Sequence, residues 1–271
     1  MKSHTTKLFL FLLMFSTALT SVGAHKNKNK NEPKVALLVP DKPAHQYKSM
    51  PDTHPRGLHE PHFISISNAA DYLHGIDVSH YQHNINWKEA SQDPKVGYVY
   101  IKATEGRDHV DNTYEQNLRE ARRNGVKAGS YHFFRPNVSA TEQFKNFTKI
   151  VNKNNQDLIP LIDVEVTGGV STSIMHTRLL EFIQLITNEY GKKPLIYTGR
   201  NFYNKYFGPY SAFKSYPFMI AQYTNNEPTL INNDDYLIWQ YTGQGSVKGV
   251  RGHVDQSRFH GRHNINEILY R

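Results

Sequence analysis

The chain has 271 residues, with 32 Lys and Arg against 24 Asp and Glu, a formal net charge of +8, and no cysteine. Without cysteine there is no disulfide framework, no thiolate metal site, no thiol nucleophile and no lipid-modified cysteine. The basic balance speaks to association with an anionic polymer rather than to fold, and with no run of Lys and Arg interleaved with aromatics, nucleic acid is not expected as partner.

Residues 1–24 read as a signal peptide. Lys2 and Lys7 make a basic n-region, Leu8 to Phe15 is apolar, and Val22-Gly23-Ala24 is a small-residue cleavage site. The apolar run is shorter than the roughly 20 residues that a bilayer demands, so no stable membrane insertion is expected after cleavage and the mature chain is expected to be secreted. Residues 25–73 read as a largely disordered linker. It opens on Lys26-Asn27-Lys28-Asn29-Lys30-Asn31 and continues through Pro33, Pro40, Pro43, Pro51, Pro55 and Pro61, a composition too poor in apolar residues to offset its ordering entropy. The irregularly spaced histidines from His25 to His62 read as solvated rather than metal-binding. A short strand over Phe63-Ile64-Ser65-Ile66 is expected to dock on the domain that begins at His74.

From His74 to the end, residues 74–271 alternate between strand and helix. Strands are predicted at 74–79, 97–104, 126–134, 159–166 and 194–198, then at 218–223, 236–242 and 252–255 with no long helix between them. Three amphipathic helices are marked by their ends and stripes. The first is capped by Asn112, buries Tyr114, Leu118 and Ala121, and stops at Gly125. The second starts at the capping box Ser139-Ala140-Thr141-Glu142 and buries Phe144, Phe147 and Val151. The third follows Ser171 with Met175, Leu179, Phe182 and Ile186, and stops at Gly191. Eight strands alternating with helices in about two hundred residues predict one α/β domain, an irregular TIM-like barrel whose last third is poor in helix.

Reactive groups of such barrels gather at the carboxyl ends of the strands. Those ends read Gly75-Ile76-Asp77-Val78-Ser79, Ile101-Lys102-Ala103-Thr104-Glu105-Gly106, Gly129-Ser130-Tyr131-His132-Phe133, Leu161-Ile162-Asp163-Val164-Glu165 and His253-Val254-Asp255-Gln256. Asp77, Asp163, Glu165 and Asp255 are therefore expected to converge on one mouth. Asp163 and Glu165, two apart, point to one face. Like charges held close raise one another's pKa, which keeps a carboxylic acid protonated for general acid catalysis of glycoside cleavage.

These motifs, with Trp239-Gln240-Tyr241-Thr242 and Val254-Asp255, resemble in order and spacing the motifs of family 25 (Chalaropsis-type) lysozymes over residues 74–262. The resemblance implies a (β/α)5(β)3 barrel that cleaves the β-1,4 bond between N-acetylmuramic acid and N-acetylglucosamine of bacterial cell-wall peptidoglycan, without metal or cofactor. Carried over by position, Glu165 is the proton donor, Asp163 the carboxylate assisting beside it, and Asp77 and Asp255 two further acids of the site. Tyr131, Tyr197 and Trp239, near strand ends, are expected to stack on sugar, with Gln240 as a further substrate contact. Lys102 and Glu105 are expected to pair across the mouth, and His132 to be a satisfied core histidine. A monomer is expected. The alternative is a peptidoglycan-binding module that uses the same groove without chemistry.

Overall fold

The computed structural model describes residues 72–271. The signal peptide and nearly all of the linker, with the strand expected at Phe63–Ile66, lie outside the described residues.

The chain order is β1 His74–Val78, α1 Trp87–Ala90, β2 Tyr98–Glu105, β3 His109–Val110, α2 Tyr114–Arg123, β4 Lys127–Phe133, α3 Ala140–Ile150, β5 Leu161–Asp163, α4 Thr172–Tyr190, β6 Leu195–Gly199, α5 Arg200–Tyr206, β7 Phe218–Ala221, β8 Ile238–Gly245 and β9 Val254–Phe259. The strands run β1-β9-β8-β7-β6-β5-β4-β2, and β1 also pairs with β2, which closes an eight-stranded barrel; β3 hangs on the outer end of β2. Barrel neighbours from β1 through β8 are parallel. The closing strand β9 is antiparallel to both β8 and β1. Five strand–helix units followed by three strands without an α-helix reproduce the expected (β/α)5(β)3 plan.

Alternation sorts the side chains into two layers. Tyr98, Tyr100, Leu161, Leu195, Met219, Ile238 and Phe259 fill the barrel interior. Val99, Ile101, Ile162, Val164 and Ile196 face outward and pack under Leu118, Phe147, Leu179, Phe182 and Ile186 of the helices. β2 is consequently buried on both faces, as parallel strands covered by helices are. The interior has room for two tyrosine rings because two facing positions lack side chains. A Cβ on Gly75 would overlap the Tyr98 ring, and one on Gly129 would lie 2.8 Å from both Tyr100 Cε1 and Leu158 Cβ. Tyr98 then reaches Ser257 Oγ at 2.9 Å, and Tyr100 donates to the Ile159 carbonyl at 3.2 Å, so neither buried phenol is left unpaired.

Most helix ends fall where their sequence signals sit. Ser139 accepts from the Glu142 N–H and Ser171 from the Ile174 N–H. Gly191, in the left-handed region at φ 71°, stops α4. The first long helix differs. Thr113, not Asn112, is its N-cap and makes no side-chain cap bond. The Asp111 carboxylate instead accepts from the Thr113 N–H at 2.9 Å and hydroxyl at 2.7 Å, a negative charge where the helix dipole favours one.

Strand lengths also differ from expectation. β5 is three residues rather than the predicted span 159–166; Pro160 has no N–H to give the ladder, and the chain beyond Asp163 turns away toward Gly168 and Gly169, both at positive φ. β9 runs past Asp255 to Phe259 because it pairs on both sides.

Candidate active site

The carboxyl ends of the parallel strands open on a cavity of about 260 Å³ that holds all four expected acids, Asp77, Asp163, Glu165 and Asp255. Each arrives by a local rule. Asp77 on β1 and Asp255 on β9 are register partners across an antiparallel pair, so their side chains stand next to each other. Asp163 ends β5 pointing inward, while Ile162 and Val164 on either side pack outward. Glu165 lies beyond the strand end, on the rim, and is the most solvent-accessible of the four.

Burial and mutual repulsion govern their charge. Asp77 is held well above the usual carboxylate range, first by burial and then by the charge of Asp255. Asp163, 7% exposed, is also held well above that range, by burial and then by Glu165 and Asp77, with Lys102 pulling the other way. Glu165 is raised by desolvation and by Asp255, and Tyr197 and Lys102 oppose the shift. Asp255 is raised by burial, against a hydrogen bond from Asp77. All four are thus shifted toward the protonated form, the direction that a general acid requires. Among the described residues, no protein group bonds to Asp163 Oδ1, although that atom is buried.

The surrounding residues divide into those the cavity meets and those behind it. Tyr131 and Tyr197 line it as expected. Lys102 donates to Glu105 at 2.6 Å, and Arg135 also clamps Glu105, so the expected brace forms with an extra cation. Although burial opposes it, this double cation leaves Glu105 below the ordinary carboxylate range. His132 is 1% exposed. Its ring lies between Thr104 Oγ1 at 2.7 Å and Gln143 Oε1 at 3.1 Å, and burial pulls it down to about 4. It is a core histidine, as expected.

Two expected substrate contacts lie elsewhere. Trp239 faces the outside of the barrel under the Arg258 guanidinium, 5.0 Å from its ring, and donates its indole N–H to the Gln222 carbonyl. Gln240, 1% exposed, sits behind Asp77 and donates to it at 2.8 Å. Trp239 and Gln240 are consecutive on one strand, so both were never able to face the axis. Conversely, Tyr81 and Tyr223 were not anticipated. They are 73% and 58% exposed, and both line the cavity. Tyr81 rests on His80 with ring centroids 4.1 Å apart, and His80 is fixed by donating to Asp111 at 2.8 Å. Both tyrosines lie past strand ends, in stretches without periodicity; exposed aromatics in loops were the only signal for them.

Beyond the rim, Glu165 and Tyr223 also border a groove of about 900 Å³ that runs over Arg200, Asn201, Gln222 and Asn226. A buried acid cluster opening into a long polar groove suits a polymer bearing hydroxyl and amide groups.

The model of the glycosyl hydrolases family 25 matches residues 76–250. This chain belongs to glycosyl hydrolase family 25. It is 35% identical over 205 residues to the protein YegX of Escherichia coli (strain K12), covering 73% of this chain and 74% of that protein. To Lysozyme M1 of Streptomyces globisporus it is 33% identical over 202 residues, 70% of this chain and 68% of that one. The crystal structure of a bacterial lysozyme from Streptomyces coelicolor superposes with a TM-score of 0.64 at 32% identity, covering 70% of this chain and 92% of that chain. As a family 25 member the protein is a glycosidase of the lysozyme class, and the matched segment spans β1 through β8 with three of the four acids.

Proposed function

We propose that this family 25 enzyme is a secreted, monomeric muramidase. It hydrolyses the β-1,4 bond between N-acetylmuramic acid and N-acetylglucosamine of peptidoglycan, with Glu165 as general acid and Asp163 steering the substrate's acetamido group. The observation that carries this reading is the pairing, in one cavity, of a rim carboxyl raised above its usual range with a buried Asp163 whose Oδ1 has no protein partner among the described residues.

Asp163 and Glu165 leave the same strand end, so both meet the sugar from one side. In-line attack by Asp163 on the far face of the anomeric carbon is therefore unfavourable, and the acetamido oxygen of N-acetylmuramic acid is the better placed nucleophile. Its N–H donates to Asp163 Oδ1. A hydrogen bond to the charged form favours ionised Asp163, and the proton of the pair is left on Glu165. As the acetamido oxygen bonds to the anomeric carbon, the glycosidic C–O bond breaks and its electron pair takes the Glu165 proton. Glu165, now a base, deprotonates the incoming water. That water adds to the anomeric carbon, the acetamide reforms, and the configuration is retained. Tyr81, Tyr131 and Tyr223 offer ring faces to the sugars.

Glu165→Gln keeps shape and removes the acid. Release of reducing ends from purified cell wall is expected to fall by about 10²–10⁴-fold while wall binding in a pull-down persists. A variant that still releases reducing ends near the wild-type rate overturns the assignment.

A further inference from the structure

β5 and β6 are neighbours in the barrel, with Asp163 in register with Tyr197. Just past those two positions the chain delivers Glu165 after one strand and Arg200 after the other, and both side chains border the groove of about 900 Å³. Asp163 lines the cavity and not the groove, whereas Glu165 lines both.

That division orients the substrate. The sugar whose acetamido group meets Asp163 lies in the cavity, and the oxygen that Glu165 protonates belongs to the sugar that leaves. The leaving N-acetylglucosamine therefore lies on the groove side of Glu165. In an alternating polymer the next residue along the groove is N-acetylmuramic acid, whose lactyl group carries the acidic peptide of the wall.

Most cations around the mouth and the groove are already committed. Lys102 and Arg135 both hold Glu105. Arg258 pairs at 2.6 Å with Glu227, the other acid that borders the groove. Arg200 differs. It is half-buried, and its Nε donates to the Thr229 carbonyl at 3.0 Å, which fixes the plane of the guanidinium. Among the described residues, neither Nη donates a hydrogen bond and no carboxylate pairs with Arg200. A guanidinium held in place through Nε, with both Nη groups open to the groove, matches the two oxygens of a carboxylate.

We propose that Arg200 is a specificity-determining residue: it binds a free carboxylate of the peptide on the N-acetylmuramic acid that follows the leaving sugar. The enzyme accordingly prefers glycan whose peptide carboxylates are free to glycan in which they are amides. This rests on the reading of Glu165 as acid and Asp163 as partner of the acetamido group.

The experiment uses two synthetic tetrasaccharides of alternating N-acetylglucosamine and N-acetylmuramic acid. In one, the reducing-end muramic acid carries an alanyl-glutamate dipeptide; in the other, the same dipeptide has both carboxylates converted to amides. The full-length wild type is expected to favour the first by about tenfold in kcat/KM, the low end for a hydrogen bond to a charged group, with the difference in KM. Arg200→Gln is expected to bring that ratio close to one, and Arg200→Lys, which keeps the charge without the fork, to fall between. A merely structural role for Arg200 would lower turnover of both substrates alike and leave the ratio where it was. A ratio of one in wild type, or one that Arg200→Gln leaves unchanged, overturns the proposal. Calorimetric binding of the two tetrasaccharides to Glu165→Gln, with and without Arg200→Gln, gives the same ratio without turnover. Failure of wild type to cleave either substrate would thus refute the muramidase reading, while the binding ratio still decides the role of Arg200.

Discussion

At the scale of single residues, the chemistry hangs on Asp163 Oδ1 meeting an amide N–H. Removing the N-acetyl group from the muramic acid while leaving the glycan otherwise intact takes away both that donor and the internal nucleophile. Cleavage is expected to collapse while binding persists, and the native reaction is expected to release product of retained configuration. NMR of the first product formed checks this, and an inverted anomer would point instead to water activated by Asp77 or Asp255. Asp77, Asp163 and Glu165 were legible because they sit at or just past the carboxyl ends of parallel strands, where direction is fixed; Asp255 was expected at such an end too, but reaches the mouth from the amino end of the antiparallel β9. What was not legible is which of two adjacent residues turns inward. Trp239 has the ring that suits a sugar, but its neighbour Gln240 holds the inward position. An aromatic's chemistry says nothing about parity, which depends on the barrel's register.

At the scale of elements, the interior tyrosines set a strict size limit on β1 and β4. Gly75→Ala drives a methyl into the Tyr98 ring. Overpacking of this kind costs about 1–3 kcal/mol, and a Tm lower by several degrees is expected from calorimetry. A Tm equal to wild type would mean that the ring has room to move. The helices were readable because each carries its own start, stripe and stop. β3, α1 and α5 were not, since elements of two, four and seven residues are too short for periodicity and are held by tertiary contact. One such contact ties the approach to β8 to the C-terminal turn. His263 lies 2.9 Å from both Asp235 and Glu267, and these carboxylates raise it above its usual 6.5 although burial opposes them. A raised folded-state value means a stabilising contribution that is complete below pH 6.5 and lost as pH climbs through the higher folded value. The Tm difference between wild type and His263→Asn is therefore expected to be larger at about pH 5.5 than at about pH 8.5. Equal differences at the two pH values would show that the ion pairs contribute nothing.

At the scale of the whole molecule, the cavity, its polar groove and the acids all belong to residues from β1 onward. Deleting residues 25–62, a stretch whose composition cannot build a core, is expected to leave Tm and activity on soluble wall fragments unchanged. A marked fall in Tm would show that this stretch contributes to the domain. Loss of activity confined to intact cells would give the basic run a targeting role.

The placement of Asp77 and Asp255 has a temporal consequence. One stands on the first strand of the barrel and the other on the last, and they meet only when β9 inserts between β8 and β1. Pairing across so great a sequence separation is slow to form. A nascent polypeptide halted anywhere before β9 has Asp77, Asp163 and Glu165 but neither Asp255 nor a closed barrel. The acid cluster is thus assembled last, when the circle of strands closes.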